Sequence, residues 1–248
     1  MHLRTALPLA SLALLTLSVL AAGPAQAAAG PTTPARPAAS APAPTVDLAS
    51  AKATCTADID LRLAKLGSLS ASLTAARSVT AGHRSTQQAS LQGAASGLTL
   101  LKTKVAADPD ARMLKDDCQS VLSDYRVFAL RAPQTGYVIA GDAQVAAVAR
   151  LQAVVPTLSD AMAKLEAAGK DVAAAKTALA DLRGKLADAA PKAGGIADGV
   201  IGFTPATYTA DKNLLSPTHT QVLAVRTDLA GARADLKAIG AALKALAR

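Results

Sequence analysis

The chain has 248 residues and a formal charge of +8; 51% of it is apolar, only 2% is aromatic, and Trp is absent. Alanine dominates the apolar count, so little area is buried per residue, which suits closely spaced helices and argues against a wide core or a deep ligand pocket. Past residue 27 there are two histidines, His83 and His219, and one glutamate, Glu166, with no H-E-x-x-H, G-x-S-x-G, P-loop or dinucleotide glycine pattern.

Residues 1–27 read as a secretory signal peptide. Arg4 supplies the positive start, Leu7 to Ala22 the apolar run, and Ala25-Gln26-Ala27 the small-residue cleavage site, with cleavage after Ala27. Loss of Arg4 lowers the charge from +8 to +7. Residues 28–46 form an Ala/Pro-rich linker with one charge, Arg36, and are expected to be disordered. No later apolar run of transmembrane length is expected.

The first helix is predicted from Asp47 to Arg77, with Leu48, Cys55, Ile59, Leu66, Leu69 and Leu73 on one face. Residues 78–82 read as a turn, with Thr80 capping a second helix that carries Leu91, Ala94, Leu98, Leu101 and Val105. From Pro109 to Gly169 the pattern is one long helical segment, with Asp108 as N-cap and an interruption near Pro133 and Gly136. Its stripe is Leu114, Cys118, Val121, Tyr125, Phe128 and Ala132, then Val145, Val148, Val155, Leu158, Met162 and Leu165. After Gly169, Asp171 caps a helix expected to become irregular at Pro191 and Gly194-Gly195. Residues 202–216 read as a loop, and Ser216-Pro217 opens a last helix with Val222, Val225, Leu229, Leu236, Ile239, Leu243 and Leu246 at nearly heptad spacing.

No strand alternation occurs, so the expected fold is all-α: an elongated antiparallel, coiled-coil-like bundle. Two three-helix bundles, 47–132 and 133–248, share a long central helix kinked near Pro133. Cys55 and Cys118 each fall about two turns into a helix, which places the thiols at one level and suggests a disulfide. Two buried free thiols or a metal pair are the alternatives, the latter poor without nearby histidines. No metal site and no cofactor is expected.

The irregular pieces of this arrangement meet at a waist, where His83, Arg131, Tyr137, Asp142, Phe203 and Tyr208 form a candidate interaction surface. The competing reading is that the aromatics fill a junction alanine cannot. No catalytic residue is assigned. Asp116 and Asp117 point about 100° apart on a helix and cannot flank one bond, and His83-Arg84 at a helix start fits a capping or surface role better than proton transfer.

The stretch Asp124-Tyr125-Arg126-Val127-Phe128-Ala129-Leu130, then Pro133 and Val138-Ile139-Ala140-Gly141-Asp142, resembles a segment of uncharacterised secreted Ala-rich helical proteins of actinobacteria. The similarity is sharp over residues 118–142. It implies export and carries over no activity.

Function is therefore expected to be that of a secreted, non-enzymatic structural or interaction protein, extracellular or cell-wall-associated. The alternative is a binding module for an anionic cell-wall polymer, a membrane surface or a small apolar ligand. No partner is identified; an anionic wall polymer or another envelope protein fits, whereas nucleic acid does not, since there is no aromatic-basic platform.

Overall fold

Asp47 begins the first helix by accepting from the amides of Ala49 and Ser50 at 3.2 and 3.3 Å. A computed structural model describes residues 47–247, and among them no strand occurs. The expected signal peptide, its expected cleavage after Ala27 and the expected linker lie outside the described residues.

Helix α1 (Leu48–Ala75) and helix α2 (Ala81–Ala107) run antiparallel. Lys52 Nζ donates to the Ala106 carbonyl at 2.9 Å, Lys102 to Asp60 at 2.6 Å, and Gln88 to Thr74 at 3.0 Å. Thr80 caps α2 as its sequence position implies. Arg84 then reaches back and donates to the carbonyls of Leu73 and Thr74, which the end of α1 leaves unpaired, and to those of Ala76 and Val79 in the connection. At Gly97 a Cβ would lie 2.6 Å from the Tyr125 ring, so only glycine lets that ring rest on α2.

Helix α3 (Ala111–Ser123) is capped by Asp110, which accepts from Arg112 and Met113 at 2.9 Å, and not by Asp108. Asp108 instead turns inward and is 3% exposed. Burial, then the charge of Asp117, raises its pKa above the ordinary value, while Lys104 and Lys52 oppose this. Asp117 is buried too, and accepts from Lys104 Nζ at 2.6 Å. Cys55 and Cys118 are bridged, with Cα atoms 5.8 Å apart.

The central segment is interrupted before Pro133. After Ser123 the chain leaves the helix, with Arg126 left-handed at φ 47°. A π-helical turn, Val127–Arg131, follows, with i to i+5 bonds such as Arg131 N to Arg126 O at 3.2 Å. Pro133 lies in the first turn of helix α4 (Ala132–Ala167), where its missing N–H costs nothing. This irregular turn rotates the expected stripe: Val127 and Leu130 are buried, and Phe128, expected inside, is 46% exposed. Val145 of α4, also expected inside, is 42% exposed.

Gly169 ends α4 at φ 75°. Asp171 accepts from Ala173 N at 2.9 Å, and helix α5 (Ala173–Ile201) follows. Contrary to expectation α5 runs unbroken through Pro191, Gly194 and Gly195. A mid-helix proline costs about 3 kcal/mol, and here Ala189, Ala193, Ile196 and Val200 are buried around it. The expected loop 202–216 contains a short helix α6 (Pro205–Ala210), started by a reciprocal Thr204–Thr207 capping box. Helix α7 (Ser216–Leu246) buries Val222, Val225, Leu229, Ala232 and Ile239.

The apolar side chains gather in two cores. The first takes α1, α2, α3 and the π-helical turn, with Val138 of α4 and Ala197 and Val200 of α5. The second takes α4, α5 and α7. Helices α4 and α5 are antiparallel, as Gln134 bonds Val200 and Lys176 bonds Glu166; so are α5 and α7, where Lys192 meets Asp228. The central stretch Ala111–Ala167 also contains an 18-residue window of mean hydropathy 1.4, 28% of it buried. By length and composition that window could cross a membrane, so the expectation of no such run does not hold: alanine and valine on the outer side of α4 supply what an interior stripe alone would not.

Candidate functional site

The start of α2, the start of α4 and the end of α5 converge where the two cores meet. Helices α4 and α5 touch there backbone to side chain: a Cβ on Gly141 would lie 2.8 Å from Ile196 Cγ2 and 3.0 Å from Ala197 N. That approach sets Asp142 beside Thr80 and His83. Asp142 is 5% exposed; its Oδ2 accepts from Thr80 N at 2.8 Å, and its carboxylate meets His83 Nδ1 at 2.9 Å. The other ring nitrogen, Nε2, meets Asp198 Oδ1 at 2.9 Å, on α5. Burial lowers the imidazole's affinity for a proton, but the bonds to Asp142 and Asp198 together outweigh it and raise the pKa above its ordinary value. Both nitrogens face carboxylates, so the arrangement favours the imidazolium, which donates from each. It acts as a cationic tie between three helices, with neither nitrogen left to accept a proton from a substrate.

A second group lies in the same junction. Gln134 Nε2 donates to the carbonyls of Val200, Ile201 and Phe203 at 2.7, 3.2 and 3.0 Å, closing the C-terminus of α5. Arg131 donates to Ser90 Oγ at 2.6 Å, Gln134 Oε1 at 3.2 Å and the Phe203 carbonyl at 3.4 Å, and burial lowers its pKa. Gln87, fully buried on α2, donates to Thr135 Oγ1 at 2.8 Å, and Thr135 donates to the Arg131 carbonyl at 2.7 Å.

Of the six residues expected at the waist, His83 and Asp142 are in direct contact, and Arg131 meets the backbone of Phe203. Tyr137 and Tyr208 bond elsewhere. Tyr137 pairs with His219 at 3.4 Å. Tyr208 lies under Arg126 and Lys212, 5.9 and 5.0 Å from its ring centre. Sequence reasoning missed Asp198, Gln134, Gln87 and Arg84. Asp198 and Gln134 carried a usable signal: each is a polar residue set among glycine, alanine or proline at an irregular point of the pattern.

Of the several hollows outside the junction, two bear on binding. One, of about 550 Å³, runs between α1 and α3 over the disulfide and is lined by Ala51, Cys55, Asp58, Lys115, Cys118 and Leu122. Leu122 also borders the adjoining hollow at Arg62 and Phe128. The other, of about 420 Å³, lies between α4 and α7, with Ala140, Ala143, Gln144, Ala147 and Leu229 beneath Arg226 and Arg233. Among the described residues no three His, Cys, Asp or Glu side chains are grouped to hold a metal ion.

Compared with protein-family models, with curated proteins and with solved structures, the chain matches none.

Proposed function

We propose that this is a secreted, non-enzymatic helical protein that acts as a structural or interaction element at the cell exterior. One observation carries the reading: Leu122 of α3 and Phe128 of the π-helical turn stand exposed and border one hollow, and Leu122 also lines the groove over the disulfide. Large apolar side chains exposed at one hollow are what a protein partner buries. The junction meanwhile engages its charged groups internally, which fits a rigid support for such a surface. A disulfide suits an oxidising compartment, in keeping with export and with the resemblance to secreted actinobacterial proteins.

The finer architecture belongs to the same proposal: two antiparallel three-helix bundles on a shared central segment, coiled-coil-like and elongated. The division of the apolar side chains into two cores supports it. Helix α4 alone, with 36 residues, is about 54 Å long, so solution scattering of a rod gives a longest dimension well above that, and a value near it refutes the rod. For the interaction surface, Leu122→Glu with Phe128→Glu is expected to abolish retention of an envelope partner while leaving the melting temperature within a few degrees. Undiminished retention refutes that surface.

The second reading, a binding module for an anionic polymer, membrane surface or small apolar ligand, is favoured by the α4–α7 groove with its two arginines. Retention on purified cell walls that falls steeply with salt is its expected signature.

A further inference from the structure

The charges of α7 are sorted by side. Asp228 and Asp235 face α5, where Lys192 and Lys185 hold them at 3.0 and 2.5 Å. Arg226 and Arg233 line the groove toward α4 and have no acidic partner among the described residues. Lys237 and Lys244 continue the same helical side, since the positions 226, 233, 237 and 244 repeat at seven, four and seven. All four are exposed. Over that span, about 27 Å of helix, the row is positive throughout. Opposite Arg226 and Arg233 the facing helix adds no negative charge: between Asp142, which His83 and Thr80 occupy, and Asp160, α4 carries only Arg150. Arg150 lies on the side of α4 marked by Ala143 and Ala147, at spacings of four and three.

The groove is thus a cleft of one sign on a floor of three alanines, Gln144 and Leu229. Low-dielectric walls focus such a field and raise the local concentration of counter-charge. A row, unlike a cluster, matches a chain of oxyanions lying along it, and guanidinium forks pair with phosphate oxygens. The three alanines on the α4 side leave room for a slender backbone; a polymer of pyranose rings is broader. A bilayer would call for bulky anchors beside the arginines, where α4 offers Ala143 and Ala147.

We propose that the α4–α7 groove binds a linear phosphate-linked polymer, with Arg226 and Arg233 on its oxyanions and Arg150 and Lys237 extending the row. This rests on the binding-module reading above and specifies its site and its ligand chemistry.

The test is titration of the full chain with linear inorganic polyphosphate over a range of salt, alongside Arg226→Gln/Arg233→Gln and, as a control at a neutralised lysine, Lys102→Gln. The expected result is a log–log salt dependence whose slope falls by about 1.4 in the double variant, at about 0.7 per contact, with affinity at low salt down by roughly tenfold. Lys102→Gln and the melting temperatures stay as in the parent. A double variant that binds polyphosphate like the parent overturns the site while leaving the binding-module reading intact. Tighter binding of polygalacturonate, or retention only by vesicles of anionic phospholipid, overturns the phosphate polymer as ligand. Binding to none of the three overturns both this inference and the reading beneath it.

Discussion

Substituting His83 by alanine strips Asp142 of one of its two donors and leaves Asp198 without its imidazole partner. Asp198 is 74% exposed on its side chain, so water replaces that bond at little cost. Asp142 is 5% exposed, and a hydrogen bond to a charged group in such a place is worth about 1.5–3 kcal/mol. The expected loss is therefore about 2 kcal/mol, which for a chain of this size lowers the melting temperature by about 4–8 °C. The loss depends on pH in a definite direction. The folded-state pKa of His83 is raised from 6.5, so its contribution is fully present below that value and disappears as pH rises through the folded one. Once neutral, the ring turns a lone pair toward one of the two carboxylates. Urea unfolding of parent and His83→Ala, at about pH 5.5 and about pH 8.5, reads this directly: the gap should be wide at the lower pH and narrow at the higher. His219 is present in both proteins and cancels. A gap independent of pH, or one that widens at high pH, refutes the imidazolium tie.

The Cys55–Cys118 bridge closes a span of 63 residues, so reduction, or Cys55→Ala with Cys118→Ala, should cost about 4 kcal/mol in denaturant unfolding. Gly97→Ala should destabilise, because its Cβ meets Tyr125 at 2.6 Å; Tyr125→Leu in the same chain should recover part of the loss, and thermal melts of the two variants check it. The raised pKa of Asp108 means the folded chain holds that proton more tightly than the unfolded one. Its contribution is therefore greatest below the ordinary value of 3.8 and is lost as pH rises through the folded value. Asp108→Asn should be more stable than the parent at neutral pH and should flatten this part of the pH profile in urea titrations.

The helices were legible because their signals are local and redundant. Thr80, Gly169 and Pro217 sit where caps and first turns put them, and Ile59, Leu98, Val121 and Leu182 are buried as their spacing implies. The cysteines could be paired from register alone. What failed were features set by neighbours distant in sequence. Pro191 and Gly194-Gly195 lie inside α5 because that stretch is packed on both cores, which no local propensity reports. The π-helical turn inserts a phase change with no sequence mark of its own, so Phe128 was placed inside and stands outside. At the junction, the sequence puts His83 and Asp142 in one candidate waist without pairing them; their contact follows from the close approach of α4 and α5 at Gly141. Asp198 and Gln134 escape sequence reasoning because one-dimensional periodicity gives no weight to a single polar residue whose partner lies on another helix.

The disulfide has a topological consequence for the α1–α2 hairpin. It joins α1 to α3 and skips α2, so every peptide bond from Cys55 to Cys118 lies within one covalent ring. A protease that cuts the connection at residues 76–80 opens this ring without releasing either piece. The digested chain should migrate as a single species until a thiol is added, and only then separate into a small amino-terminal fragment and a large carboxy-terminal one.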